Sequence, residues 1–154
     1  MDIKIIIKQI KSISNCNVFP PTMLPAIEPG HLLPEDLKQF YMLCGGMDLY
    51  RNADYAVQIL PPEKVKRSNP LLIGGVIDLP NNGIEEGHFS ESWYVIVHDY
   101  NGDYFSIDLN PLNNGSCYDS HYELHPGNSP LIANSFTELL GNLVQNQGKR
   151  YFWL

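Results

Sequence analysis

The sequence predicts one globular domain that contains both helices and strands, and three observations support this. The chain has 154 residues, 44% of them hydrophobic, which is enough for a single domain with a buried core. Apolar residues recur at helical spacing near both ends, whereas the middle of the chain shows short alternating runs that are typical of strands. No repeat, low-complexity tract or linker divides the chain, so we expect one domain over residues 1–154.

Two helices are predicted in the first third of the chain. Residues 2–14 carry isoleucines at helical spacing, and Asp2 suits the start of a helix. The second helix is predicted in the segment LPEDLKQFYMLCGG, because Pro34 fits a first helical turn. Gly45 and Gly46 at its end permit a left-handed exit from the helix.

The middle of the chain predicts strands, and the end predicts a further helix. After a short helical turn in PPEKVKRSN, residues 71–79 (LLIGGVIDL) are predicted to form a buried strand, and residues 116–124 (SCYDSHYEL) another. The last helix starts at Ser135, because Glu138 follows three residues later and completes a capping box.

The segment HDYNGDYFSID, residues 98–108, has two possible interpretations. Asp99, Asn101 and Asp103 alternate as the ligands of a calcium loop do, but an EF-hand loop starting at Asp99 would need Gly at its sixth position, where Tyr104 stands. The flanking runs are also strand-like rather than helical. The segment is therefore predicted to be a β-hairpin, in which Asn101-Gly102 form a two-residue turn.

A two-residue turn predicts which side chains share a face of the hairpin. It pairs His98 with Phe105 and places an apolar set on one face. The members of this set are Tyr94, Ile96, His98, Phe105, Ile107 and Leu109. The second face would then carry Trp93, Val95, Val97, Asp99, Tyr104, Ser106 and Asp108. Such a mixture of aromatic and acidic side chains fits either a recognition surface or the solvated side of an antiparallel sheet.

Residue types that could support metal or covalent chemistry occur, but not in a productive pattern. Cys117, His121 and His125 are spaced along one predicted strand, where successive side chains would lie about 13 Å apart, too far to share a zinc ion. The sequence contains neither a Gly-x-Ser-x-Gly motif nor a Gly-rich phosphate loop. We therefore expect a binding protein without a catalytic site, a metal or a cofactor.

The cellular compartment is predicted from the cysteines and from the hydropathy. The chain has three cysteines and no Cys-x-x-Cys motif, so a disulfide framework is not expected and the reducing cytoplasm is the predicted location. Lysines interrupt the apolar N-terminal segment, unlike a secretory signal, and no apolar run is long enough to cross a membrane.

The net negative charge is concentrated in the C-terminal half of the chain. The net charge is −7, and no Lys or Arg occurs between residues 68 and 148, a stretch that carries ten acidic residues. Direct binding of nucleic acid is disfavoured, because phosphate backbones attract positive charge. A basic protein partner is favoured, and an acidic surface that serves solubility is the alternative.

Several motifs, in this order, resemble those of the SUKH superfamily. LPEDLKQFYMLCGG is similar to the helix that opens the core of these domains, although Cys44-Gly45-Gly46 stands where the family usually has Asn-Gly. ILPPEKVKRSN resembles the short helical segment of the family, and SWYVIVHDYNGDYFSIDLNP resembles its central hairpin. IANSFTELLGNLV resembles its closing helix. Together the motifs cover about residues 30–147.

The resemblance implies both a fold and a function. It implies a single α+β domain, in which helices pack against a twisted, mainly antiparallel sheet and the helix predicted at residues 2–14 packs on a core of about residues 30–147. Many bacterial members are immunity proteins that neutralise polymorphic toxins, often nucleases, and others are regulatory interaction modules. The family has no established catalytic residues to transfer to this chain.

We therefore expect a cytoplasmic immunity protein that binds a basic toxin domain through an acidic surface. The candidate partner-binding residues are Trp93, Asp99, Asp103, Asp108, Glu85 and Glu86. In this prediction Trp93 anchors the interface and the acidic residues steer association. The alternative is an intracellular regulatory or small-ligand-binding module without a toxin partner.

Overall fold

The computed structural model describes residues 2–74, 87–151 and 153–154. Within these ranges, seven antiparallel strands form one sheet in which each strand pairs with the next along the chain, and four α-helices accompany the sheet. The α+β fold expected from the sequence is therefore confirmed. The strands are β1 (Asn17–Val18), β2 (Met47–Leu49), β3 (Val57–Ile59), β4 (Trp93–Asp99), β5 (Tyr104–Asp108), β6 (Cys117–Asp119) and β7 (Leu131–Ala133). The helices are α1 (Ile3–Lys11), α2 (Glu35–Leu43), α3 (Ser68–Ile73) and α4 (Phe136–Asn146), and 3₁₀ turns occupy Pro62–Lys64 and Phe89–Ser92.

Helices α1, α2 and α4 contact one another and cover one face of the sheet, which we call the helix face. Asp2 and Ser135 precede α1 and α4 as the sequence predicts, whereas Pro34, predicted in the first turn of α2, is the residue before that helix. The Asp2 side chain accepts a hydrogen bond from the Lys4 backbone N at 2.8 Å, and Ser135 Oγ accepts one from the Glu138 backbone N at 3.0 Å. An edge-on contact between the Phe40 and Phe136 rings, whose centroids are 4.8 Å apart, joins α2 to α4.

Two strand predictions were wrong in part. Residues 71–73, predicted to begin a buried strand, belong to α3, in which Pro70 occupies the first turn. Residues 75–79 of the same prediction lie outside the described residues. The strand predicted over residues 116–124 is confined to β6, because the Asp119 side chain accepts a hydrogen bond from the His121 backbone N at 3.1 Å and turns the chain there.

The hairpin of β4 and β5 is confirmed, but its predicted register was wrong. Asp99 N donates to Asp103 O at 2.8 Å, so the turn contains three residues and Gly102 takes the left-handed position with φ of +99°. The Asp99 carboxylate stabilises this longer turn, since its Oδ1 accepts from the backbone N of Asn101 at 3.0 Å and of Asp103 at 2.9 Å. A bulge at Ile96 then shifts the pairing by one more residue.

The bulge changes which side chains share a face. Val97 pairs with Phe105 and therefore lies on the helix face together with Asp99, whereas His98 pairs with Tyr104 and lies on the opposite face. The predicted faces of Val97, His98 and Asp99 were therefore wrong, and Asp99 does not share a face with Trp93. The cause is that residues 95–97 are all apolar and buried, so the sequence shows no alternation that would locate a bulge.

Candidate functional site

Two of the predicted partner-binding residues are buried where the hairpin begins and ends. Trp93 is 1% exposed, and its ring stacks on Tyr118 with the centroids 4.1 Å apart. Asp108 is 2% exposed, and its Oδ1 accepts hydrogen bonds from Ser92 Oγ at 2.6 Å and from the Asn110 backbone N at 2.9 Å. These contacts hold the segments on either side of the hairpin, and neither side chain presents a surface to another protein.

A chain of buried polar groups next to Trp93 has the residue types of a hydrolytic site. His125 Nε2 lies 2.7 Å from Asn69 Oδ1, and Asn69 Nδ2 lies 3.0 Å from Ser90 Oγ. Because Asn69 Oδ1 can only accept, His125 carries its proton on Nε2, and its Nδ1 accepts from Ser120 Oγ at 3.1 Å. The Ser120 hydroxyl is therefore hydrogen-bonded to a histidine, as a catalytic serine would be.

The remaining hydrogen bonds of these buried polar groups show that the arrangement is structural. Ser120 has used its one proton on His125, so Ser106 donates to Ser120 across 2.6 Å, and Ser68 donates to Ser106 across 2.7 Å. Ser120 is 1% exposed, which leaves a substrate no access to its hydroxyl. Burial, assisted by the nearby His88, lowers the pKa of His125 to about 4. The chain of hydrogen bonds thus ties α3 to β5 and to the segment after β6.

The other described acids of the predicted site meet at the far end of the hairpin. The seven residues of β4 separate Trp93 from Asp99 by about 20 Å. In this antiparallel sheet the last residue of β4, the first residue of β5 and the last residue of β6 lie at the same end of the strands. Asp99, Asp103 and Asp119 therefore come together there. Glu85 and Glu86 lie outside the described residues.

These three carboxylates line a cavity of about 200 Å³, which we call the acidic cavity. Its apolar wall is aromatic and contains Tyr55, Phe105 and Tyr151. The Tyr151 ring meets Tyr55 edge-on at 4.8 Å and Phe105 edge-on at 5.3 Å between centroids. A small recess with carboxylates on one side and aromatic rings on the other is therefore open at the hairpin end.

The carboxylates of the acidic cavity have few positive partners. The Asp103 Oδ2 atom lies 2.8 Å from His121 Nδ1, and no Lys or Arg of the described ranges forms an ion pair with these carboxylates. Trp153 Nε1 donates to Asp119 Oδ2 at 2.8 Å. Burial raises the pKa of the Asp119 carboxyl, and the hydrogen bond from Trp153 opposes this effect. The cavity therefore concentrates negative charge that the described lysines and arginines leave unpaired.

Most residues that line the acidic cavity were not among the predicted site residues, and three of these are Asp119, Tyr55 and Tyr151. Asp119 was counted only as one of the ten acidic residues of the C-terminal half, and Tyr55 and Tyr151 were not considered as site residues. Their proximity depends on the pairing of Phe105 with Asp119 and on the return of the chain after α4. No local sequence signal indicates either contact.

Cys44 and Cys117 lie outside the acidic cavity. Burial raises the pKa of the Cys44 thiol to about 11, which disfavours the reactive thiolate. Cys117 is completely buried on the helix face, whereas His125 belongs to the opposite face. In residues 2–74, 87–151 and 153–154, no three His, Cys, Asp or Glu side chains are arranged to hold a metal ion. None of the described helices has the length and hydropathy needed to span a membrane.

Comparison with known proteins decides the family. The model of the SMI1/KNR4 family (SUKH-1) matches residues 28–142, about three quarters of the chain. The chain belongs to the SUKH-1 family. This SUKH-1 member is 40% identical over 156 aligned residues to a Bacillus subtilis (strain 168) protein named immunity protein YokJ, and the alignment covers 100% of the chain and 90% of the relative. No solved structure matches this chain significantly. The family membership inferred from the ordered motifs is thereby confirmed.

Proposed function

We propose that this SUKH-1 protein is a cytoplasmic immunity protein that binds a toxin and neutralises it, without catalytic activity of its own. The observation that carries the proposal is the 40% identity to immunity protein YokJ, which extends over the whole chain. The likeness covers the whole chain, whereas the family model matches residues 28–142.

The charge of the chain supports a basic toxin, of the nuclease type, as the partner. A nuclease that holds phosphates presents a basic surface, and the ten acidic residues between residues 68 and 148 complement such a surface. The same charge disfavours direct binding of nucleic acid by the immunity protein. We propose that the partner meets the end of the hairpin, where Asp99 and Asp103 line the acidic cavity. Trp93 and Asp108 would then act as internal supports of the hairpin.

Co-expression tests this proposal. The chain is produced together with the C-terminal domain of the protein that the adjacent gene encodes, and survival, complex formation and cleavage of nucleic acid are measured. We expect survival and a stable complex only when the chain is present, with an unrelated acidic protein as the control. Killing that persists, with no complex recovered, would contradict the immunity role toward that partner.

Salt dependence tests the electrostatic part separately. Association between opposite charges slows as ionic strength rises, because exposed charges are screened over about 8–10 Å near physiological salt. We expect the association rate to fall steeply between low and moderate salt. A complex that forms equally fast at both salt concentrations would sink the acidic-surface proposal while leaving immunity intact.

A second candidate function is a regulatory or small-ligand-binding module. The observation that favours it is a groove of about 840 Å³ between the loop before α2 and the N-terminal part of α3, a volume typical of ligand sites. Its wall includes Tyr94, whose hydroxyl accepts from the Glu28 backbone N at 2.9 Å. Native mass spectrometry of the purified chain checks this candidate, since a bound metabolite of constant mass would support it and a ligand-free chain would not.

A further inference from the structure

The acidic cavity contains a buried polar group whose hydrogen-bonding capacity is unused. Tyr151 is 6% exposed and lines the cavity, and its hydroxyl finds no hydrogen-bond partner among the described residues. Burial and the nearby Asp99 and Asp119 raise the pKa of the Tyr151 phenol well above its usual range, so the group is a neutral phenol. Buried hydroxyls are normally satisfied, which makes an unpartnered one at a cavity an indication of a missing ligand.

The acids around this hydroxyl have spare acceptor sites. Asp99 uses its Oδ1 in the turn, and no residue in the described part of the chain donates to its Oδ2. Asp103 accepts from the Tyr122 backbone N with its Oδ1 at 3.0 Å and contacts His121 with its Oδ2, but each oxygen has a second lone pair and the side chain stays 16% exposed, so it can accept a further hydrogen bond. A ligand here therefore meets two carboxylates and a phenol oxygen, all of which accept hydrogen bonds from a cation.

The size and the walls of the cavity select the cation. At about 200 Å³ the cavity is smaller than the usual 300–1,000 Å³ of a small-molecule site, and it suits a single side chain. No three His, Cys, Asp or Glu side chains of the described residues are arranged to hold a metal ion, which favours an organic cation over a metal. The aromatic lining favours a planar guanidinium, which stacks on aromatic faces and donates to carboxylates in a fork. Tyr55 is partly exposed and offers such a face, whereas Phe105 is 1% exposed and forms the floor behind it.

We propose that the acidic cavity receives an arginine side chain of the toxin. In this arrangement the guanidinium donates to the carboxylates of Asp99 and Asp103 and to the hydroxyl oxygen of Tyr151, and its plane packs on the aromatic wall. The inference rests on the proposed immunity function and adds the contact by which the partner is held. If this arginine belongs to the phosphate-binding surface of the toxin, its binding in the acidic cavity would keep it from contacting the toxin's substrate.

The test begins with a small probe and the full chain. Nα-acetyl-arginine amide is titrated into ¹⁵N-labelled protein, with the uncharged citrulline analogue and the corresponding lysine analogue in parallel. We expect saturable shifts at the amides of Asp103, Asp119 and Tyr151 with arginine, weaker shifts with lysine and none with citrulline. Equal shifts with arginine and citrulline would overturn the cavity assignment, and tighter binding of lysine would overturn the choice of arginine.

Two substitutions separate binding from folding. Tyr151→Phe removes only the unpartnered hydroxyl, so the melting temperature should be unchanged or higher, whereas affinity for the arginine probe should fall about tenfold. Asp103→Asn should weaken the probe by a similar factor. Glu35→Gln is the charge-matched control on α2, outside the cavity, and should bind as the unaltered chain does. Unchanged probe affinity in both Tyr151→Phe and Asp103→Asn would refute the proposal.

The same variants are then measured against the toxin domain. If the chain protects cells and both cavity variants hold the toxin as tightly as the unaltered protein, the cavity assignment fails and the immunity function stands. If arginine binds in the cavity but no toxin is bound or neutralised, the immunity function fails and the cation site stands. Loss of toxin affinity in Tyr151→Phe, with its stability retained, supports both.

Discussion

Acidification should destabilise this protein through His125. The ring is 8% exposed, and its Nε2–H donates to Asn69 while its Nδ1 accepts from Ser120. Protonation would place a charge in this buried chain and would turn Nδ1 from an acceptor into a donor. The substitution His125→Gln keeps a side chain that can both donate and accept, but it removes the titratable group.

The magnitude follows from the pKa of the ring. Burial lowers it from 6.5 to about 4, and at about 1.4 kcal/mol per pH unit the difference corresponds to about 3 kcal/mol of stability. Between these two values the unfolded chain binds more protons than the folded one. Stability is therefore fully present above pH 6.5 and is lost as the pH falls toward 4. Asp119 has the opposite effect on the pH dependence of stability, because its pKa is raised in the folded protein. This effect is the same in the unaltered protein and in His125→Gln, so it cancels when the two are compared.

Urea unfolding at pH 7 and at pH 4.5 measures the effect. We expect the unaltered protein to lose about 2–3 kcal/mol more than His125→Gln between these pH values. His121→Gln is the control, since that ring is 46% exposed and its pair with Asp103 contributes little. If His125→Gln shows the same dependence on pH as the unaltered protein, the buried neutral histidine is not the source and the assigned tautomer loses its support.

Two further predictions concern backbone geometry and thiol reactivity. Gly148→Ala should lower the free energy of unfolding by about 1–3 kcal/mol more than Gly30→Ala, because both glycines have positive φ but only at Gly148 would a new Cβ meet Ala53 Cβ, at 2.3 Å; equal losses in urea unfolding would contradict this packing. Iodoacetamide at pH 8 should label Cys44 only after denaturation, because its thiol is buried and its pKa is raised to about 11. Mass spectrometry measures the labelling. If the native protein is labelled as fast as the denatured protein, Cys44 is accessible in the native state and the prediction is wrong.

The helices could be predicted because their signals are local. Asp2 and Ser135 accept hydrogen bonds from the first helical turns, and a capping residue acts within three positions of itself. Apolar faces such as that of α4 likewise repeat at helical spacing regardless of what covers them. These features depend on short segments of chain, so the sequence alone indicates them.

The strand register of the hairpin could not be predicted, because it depends on the hydrogen bonds of one side chain in the turn and on a bulge in β4. Asn101-Gly102 indicates a two-residue turn, but the Asp99 carboxylate binds two backbone N–H groups and stabilises a three-residue turn instead. The bulge at Ile96 leaves no trace in a run of residues that are buried on both faces of the sheet. Residues 68–73 form a helix although the apolar run has strand propensity. In this helix Ser68 hydrogen-bonds to Ser106 of β5, and Asn69 hydrogen-bonds to Ser90 of the 3₁₀ turn at Phe89–Ser92.

The sequence by itself determined the α+β class, the family and the asymmetry of charge, because each of these depends on composition, on local spacing or on ordered motifs. Tertiary structure alone decided which acids lie together and which lie apart. It buried Asp108 beneath the segments that flank the hairpin, and it brought Asp119 and Tyr151 beside Asp99. The physical reason is that strand pairing joins residues distant in the chain, and a shift of one residue moves a side chain to the other face of the sheet.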